Sequence, residues 1–417
     1  MGNLLIKNIA QIATPIGSSQ KKGTDMEKIC VMNDSSIYIE DGIISSVGKY
    51  EDIISNIYDL SDCKVIDAQG KCVIPGFVDS HTHFIFGGYR AEEFINRLKG
   101  MPYLDILKAG GGIQSTVKST KISSFENLYD DGFKRLDHML RQGVTTVESK
   151  SGYGLDLTTE LKQLEVSKAL NLSHPIDIVN TYLGAHAIPL EYLGKGNDYI
   201  EYMINNVIPV VAKKSLAEFC DVFCEDSVFS IEQSRKLLTA AKKYNLKPKI
   251  HADEIVSLGG AELAGDLNAI SADHLLMISN AGIQKLVENE VVATLLPCTA
   301  FCLGKPYAPA RKIIESGGAV ALASDFNPGS CFTNSIPLML SLATIYMKMT
   351  VEEALTALTL NGAAAINKAD SIGSIEVGKK ADLSILKYPN YNFLVYNSGV
   401  NIIDVVVKNG EVFDFTS

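Results

Sequence analysis

The spacing of apolar residues in this chain changes twice. Up to about residue 70 they fall in short β-branched runs, "NLLIKNIA", "SSIYIEDGIISSVG" and "KVIDAQGKCVI", parted by turn dipeptides such as Asp41-Gly42 and Gln69-Gly70. That texture predicts the strands of a small sheet. It returns at the other end in "ADLSILK" and "NIIDVVVKNGEVFDF", so the two termini are expected to build one small β domain together. Between them, short apolar runs alternate with amphipathic stretches of helical period, the pattern of βα units around a parallel sheet. The runs are "CVIPGFVDS", "VTTVESK", "IDIVNTYLGAH", "CDVFCED", "LKPKIHADE", "AISADHL", "VVATLLP" and "AVALASDF". Eight such units predict a closed barrel. The expected fold is therefore α/β: a (β/α)8 TIM-type barrel over 73–365, with a composite β-sandwich domain formed from 1–72 and 366–417. Ser230 with Gln233 and Thr350 with Glu353 fit capping boxes that open two of the helices. An open doubly wound sheet would want a glycine-rich nucleotide loop after an early strand. The one candidate, "KAGGGIQST", follows a helical stretch and reads as a flexible loop.

Composition narrows the partners more than the fold. With 417 residues, 46% of them hydrophobic, the chain can bury a sizeable core. A net charge of −10, with no cluster of Lys or Arg longer than a pair, argues against nucleic acid as a partner. No apolar run approaches the ~18 residues that cross a bilayer, and the N-terminus lacks the pattern of a signal peptide, so no membrane partner and a cytoplasmic location are expected. Eight cysteines without a CxxC pair predict reduced, mostly buried thiols. Cys220/Cys224 and Cys298/Cys302 have a spacing that can bind metal, but in a strand it also merely puts two small apolar side chains on one face, which is the preferred reading.

The chemistry gathers at the strand ends. Barrel strands should be apolar, yet five of the eight runs carry His, Asp or Glu at or just past their C-terminal ends: His81 and His83, His186, His251 with Glu254, His274, and Asp325. Only His138 and His174 of the seven histidines fall elsewhere. The C-terminal face of a barrel is where active sites sit. Residues i and i+2 of a strand point the same way, so His81 and His83 can aim at one point. Alone, that pair is more often two ordinary histidines. With His251 and Asp325 it makes three nitrogens and one oxygen around a common axis, a set suited to zinc or iron with room for water.

"VIPGFVDSHTH", "HADE", "ADHL" and "ASDFNPGS" resemble the amidohydrolase superfamily, whose barrel carries a composite β domain. "HTHFIFGGYRAEEF", "ESKSGYGLD", "YLGAHAIP" and "LLPCTAFCLG" resemble, within it, the imidazolonepropionase family. The resemblance covers essentially the whole chain. It implies hydrolysis of 4-imidazolone-5-propanoate to N-formimidoyl-L-glutamate, with one zinc or iron ion per subunit held by His81, His83, His251 and Asp325. It further implies that Glu254 contacts the ring, that His274 helps activate water or polarise the carbonyl, and that Asp325 can share the proton. Arg90, Tyr153 and His186 are expected to bind the propanoate, and Asn327, Gly329 and Ser330 to contact substrate or product. Each has a plainer reading. Glu254 can be a helix-start carboxylate, Arg90 a surface residue, and Asn-Pro-Gly a turn. The fourth strand has no lysine of the kind that bridges two metals in binuclear relatives, and Lys150 reads as structural or substrate-side. A deaminase of the cytosine or guanine type shares the metal-site pattern but has no use for a carboxylate clamp, and a non-catalytic scaffold would be expected to have lost ligands. The partner expected is thus a small molecule carrying a carboxylate, and the assembly a homodimer.

Overall fold

The computed structural model describes residues 2–56, 63–101, 105 and 110–415. Among the described residues sixteen strands form two sheets. Strands β1 (Asn3–Thr14), β2 (Cys30–Glu40), β3 (Ile43–Gly48), β4 (Cys63–Asp67) and β5 (Cys72–Pro75) join β14 (Leu383–Leu386), β15 (Ile403–Lys408) and β16 (Glu411–Asp414) in a mostly antiparallel sheet. The seam between the termini is the pairing of β5 with β14, where Val73 faces Ile385. Alternation buries one face: Leu4, Ile6, Ile37, Ile39, Leu383 and Val407 pack in one cluster.

The barrel strands are β6 (Phe77–Asp79), β7 (Val144–Lys150), β8 (Asp177–Ala185), β9 (Phe219–Cys224), β10 (Lys247–Ala252), β11 (Ser271–His274), β12 (Val292–Leu295) and β13 (Val320–Leu322), all parallel and paired in chain order. Seven lie within the expected runs, and β9 begins one residue ahead of its run, at Phe219. The last strand meets the first just past their ends, through Asp325 N–H donating to His81 O at 2.9 Å and His83 N–H donating to Phe326 O at 3.0 Å. Asp79 strengthens that closure by accepting from Ser324 Oγ at 2.6 Å and Ser324 N–H at 2.9 Å. The first and last metal-ligand candidates are thus neighbours across the seam.

One expected element divides. The run from Cys72 to Ser80 is expected as a single barrel strand beginning at Val73, but Val73–Pro75 pair in the terminal sheet and only Phe77 onward pairs with β7. The break is at Gly76, whose N–H donates to Asp382 O at 2.8 Å in the small domain. A side chain there would stand 2.9 Å from Thr145 Cβ, so only glycine lets the backbone pass that close to β7.

Both capping boxes are present, Ser230 with Gln233 opening the helix Ile231–Lys242 and Thr350 with Glu353 opening Val351–Leu358. Of the glycine-rich segment, Lys108 and Ala109 lie outside the described residues, while Gly112 caps the helix Ile113–Ile122 and donates its N–H to Glu93 at 2.8 Å. All eight cysteines are free thiols. No helix among the described residues is long and apolar enough to cross a membrane.

Candidate active site

His81 and His83 follow β6, His251 sits in β10, His274 ends β11 and Asp325 lies just past β13. All five are buried. One ligand atom from each of His81, His83 and His251 falls within 4.8 Å of the others, and the same holds for His81, His274 and Asp325. Asp325 Oδ1 is 3.6 Å from His81 Nε2 and 3.5 Å from His83 Nε2, while its Oδ2 accepts from Thr299 Oγ1 at 2.7 Å. His81 Nε2 and His251 Nε2 are buried with no hydrogen-bond partner. Polar atoms are not usually left so, and a divalent cation is the partner that would satisfy both, so the donor set fits a metal. Among the described residues the CxxxC cysteines belong to no such group.

Burial lowers the pKa of His81, His83 and His251, and the positive charge of Lys150 adds to it at each. Neutral imidazoles are what a metal requires. Burial also brings His274 down to about 4. It pushes Asp325 up to about 7 despite hydrogen bonds from Thr299 and Asn327. Glu254, 3.6 Å from His274 Nδ1, is raised to about 8 by burial and by the charges of Asp325 and Glu225. Glu254 is not a helix-start carboxylate. That task falls to Asp253, which accepts the N–H groups of Gly259, Gly260 and Ala261 where the next helix begins. His274 (φ 76°) and Asp325 (φ 51°) hold left-handed backbone, a strain that closes only around residues fixed by their surroundings.

On one side of this centre the His186 ring stacks on His83 at 4.9 Å, and the Tyr153 ring lies 5.3 Å from His186. The positive charge of Arg90 is felt at both Tyr153 and His186. Arg90 itself is not a free surface cation. Its Nε donates to Glu93 at 2.8 Å and its Nη2 pairs with the same carboxylate, leaving Nη1 against the backbone of Gly329. Two cavities, of about 420 and 360 Å³, adjoin at Tyr89 and Arg90; Gly110 and Gly111 line one, Gly329 and Ser330 the other. Asn327 Oδ1 accepts from Gly329 N–H at 2.9 Å and Ser330 N–H at 2.8 Å, and its Nδ2 donates to Asp325 O at 2.6 Å. The Asn-Pro-Gly segment is therefore a turn, and the amide of Asn327 is spent on holding it.

An amidohydrolase family model matches residues 225–413, and a second one matches 64–109. A curated imidazolonepropionase from Clostridium tetani is 57% identical over 411 residues, 99% of this chain and 98% of the relative. One from Parabacteroides distasonis is 56% identical over 410 residues, covering 98% of each. The chain belongs to the imidazolonepropionase family. The fold is shared more widely than the activity: a zinc-bound adenosine deaminase from Xanthomonas campestris superposes with a TM-score of 0.71 at only 19% identity, covering 98% of this chain and 92% of the deaminase.

Beneath the centre, this imidazolonepropionase-family chain carries buried charged residues of which the sequence pointed only to Lys150. Glu148, Lys150, Asp221, Lys249 and Asp273 are completely buried inside the barrel. Lys150 is structural, as one of its two readings had it: its Nζ lies 2.7 Å from Asp221, 3.1 Å from Glu148 and 3.4 Å from Asp273. Lys249 Nζ donates to Glu148 at 2.7 Å. A signal was available, because Glu148/Lys150 and Lys249/His251 are i, i+2 pairs within β7 and β10. Charge at alternate positions of a strand that should be apolar marks an inward face with its own purpose. Glu93 gave no such signal, since the exposed Glu92 stands beside it on the same helix.

Proposed function

We propose a division of labour for the reaction that family membership assigns to this chain. The chain is a hydrolase that opens a C–N bond of the imidazolone propionate ring with water, yielding N-formimidoyl-L-glutamate in the degradation of histidine. The observation that carries the proposed site is the pair of buried, partnerless Nε2 atoms of His81 and His251, flanked by His83 and Asp325. These four residues would hold one divalent ion. Three imidazoles and a carboxylate suit zinc and iron alike, and either supplies the same chemistry, a water of lowered pKa and a polarised carbonyl.

The chain's own groups move the protons. Water must lose one and a ring nitrogen must gain one. Asp325 and the neutral His274 are the acceptors at hand, and Glu254, carrying its proton at neutral pH, faces the ring as donor. Arg90 offers Nη1 to the propanoate, with Tyr153 and His186 alongside. Gly329 and Ser330 line the cavity beside Arg90, in the turn that Asn327 holds by accepting their N–H groups. A deaminase reading would leave this anion-binding group without a task.

Freshly generated imidazolone propanoate should lose its ultraviolet absorbance with the purified protein. The loss should stop after chelation and exhaustive dialysis and return with added zinc or iron; activity that survives metal removal would refute the metal assignment. We further place the protein in the cytoplasm as a symmetric dimer that binds neither nucleic acid nor membrane. The eight free thiols and the acidic charge support this, and light scattering checks the dimer. The division into 1–72, 73–365 and 366–417 is retained as a proposal, with β5 given to the small domain.

A further inference from the structure

We infer that Lys150 is a positioning residue for the metal centre, a single buried ammonium that holds the two carboxylates facing two of the metal-binding histidines. This rests on the proposed reading of His81 and His251 as ligands. His81 Nδ1 is 2.6 Å from Asp273 Oδ2, and His251 Nδ1 is 3.0 Å from Asp221 Oδ2, the latter off the direction of a straight hydrogen bond. Lys150 Nζ contacts the same two oxygens, Asp221 Oδ2 at 2.7 Å and Asp273 Oδ2 at 3.4 Å. One cation thus fixes both atoms that the imidazoles face on their far sides. Strands β7, β9, β10 and β11 each contribute to the arrangement.

The consequence is orientation. With Nδ1 of each ring turned to a carboxylate, Nε2 is the atom presented to the centre; it has no partner in either ring, while Nδ1 is hydrogen-bonded in His81 and only near Asp221 in His251. Carboxylates behind ligating histidines set the tautomer and the angle of the ring. Here the outer oxygens are held by Ser271 Oγ, which donates to Asp273 Oδ1 at 2.6 Å, and by Val222 N–H, which donates to Asp221 Oδ1 at 2.7 Å, while Lys150 is the cation that contacts both inner ones. Burial disfavours the charged form of Lys150, but Asp221, Glu148 and Asp273 outweigh burial and hold its pKa above the ordinary lysine value. The ammonium is therefore permanent. Lys249 does not take its place in contact, since its Nζ goes to Glu148 and to Ser80 O at 3.3 Å, although its charge also acts on Asp273. Lys150 needs no chemistry of its own, neither bridging two metals nor touching the substrate.

The test is the Zn2+ dissociation constant of the full-length protein, measured by competition with a chromophoric chelator well below the melting temperature of each variant. Lys150→Met and Asp273→Asn should each weaken Zn2+ binding about 10- to 100-fold, the usual effect of losing such a partner. The double variant should be no weaker than Lys150→Met alone, because losing Lys150 already releases Asp273. A Lys150→Met protein that melts lower without its metal, yet binds Zn2+ as tightly as wild type, would reduce Lys150 to a folding residue and overturn the inference. Independent, multiplying effects in the double variant would also overturn it. If Lys150→Met fails to fold, Asp273→Asn decides by itself, and wild-type affinity there refutes the proposal. Failure of wild-type protein to bind Zn2+ would instead remove the ligand assignment itself, and this inference with it.

Discussion

Gly329→Ala isolates the proposed carboxylate clamp without touching a charged group. A Cβ at 329 would overlap Arg90 Nη1 and stand 2.8 Å from its Cζ. The backbone of Gly329 does not need glycine's left-handed freedom, so the clash is the whole perturbation. Arg90 cannot simply swing aside, because Glu93 holds two of its nitrogens and is itself tied to Gly112 N–H at 2.8 Å. The guanidinium must shift, and the nitrogen it loses from the pocket is the only one that Glu93 leaves open. A hydrogen bond to a charged partner contributes about 1.5–3 kcal/mol, which corresponds to roughly 10- to 150-fold in kcat/KM. Since the propanoate is bound alike in ground and transition states, the loss should appear as a higher KM with kcat little changed. The assay is the ultraviolet progress curve on imidazolone propanoate, run in parallel on an analogue whose side chain ends in a methyl group. Wild type and variant should treat the analogue equally. An unchanged KM for the natural substrate, or equal losses on both compounds, would refute the clamp.

Other perturbations test other parts of the molecule. Arg90→Ala should raise KM for imidazolone propanoate strongly and leave metal content intact, and unchanged kinetics would speak against the substrate assignment. Glu254→Gln should change the pH dependence of stability in the metal-free protein. The carboxyl ionises near 4.5 when unfolded and near 8 when folded, so wild-type stability falls as pH rises between those values, by about 1.4 kcal/mol per unit and ~5 kcal/mol at most. Urea unfolding should show the variant matching wild type near pH 4.5 and exceeding it at pH 9; equal differences at both would contradict the raised pKa. Gly76→Ala should lower the urea midpoint by an amount equivalent to about 1–3 kcal/mol, because the methyl group must fit against Thr145 between the two domains.

Much of this protein is legible in its sequence because the signals are local. Strand periodicity located all eight barrel strands, two capping boxes marked their helices, and the i, i+2 spacing of His81 and His83 follows from the pleat alone. The crowding of histidines at strand ends, together with the motifs around them, led to the amidohydrolase superfamily and to the C-terminal face of the barrel. The break at Gly76 was not visible, since both halves of the run are apolar and only their partners differ, β14 for one and β7 for the other. Glu93 as the holder of Arg90 was equally hidden, because an acid three residues along a helix is ordinary. For the buried charges, alternation along β7 and β10 signals an inward face but not what it meets: Lys150 stands 71 and 123 positions from Asp221 and Asp273, yet its Nζ lies 2.7 and 3.4 Å from their carboxylates. Periodicity states which way a side chain points. Which other side chain it meets depends on closing the barrel, and closure is what decides that Lys150 lies beneath two histidines and that Asp325 stands beside His81.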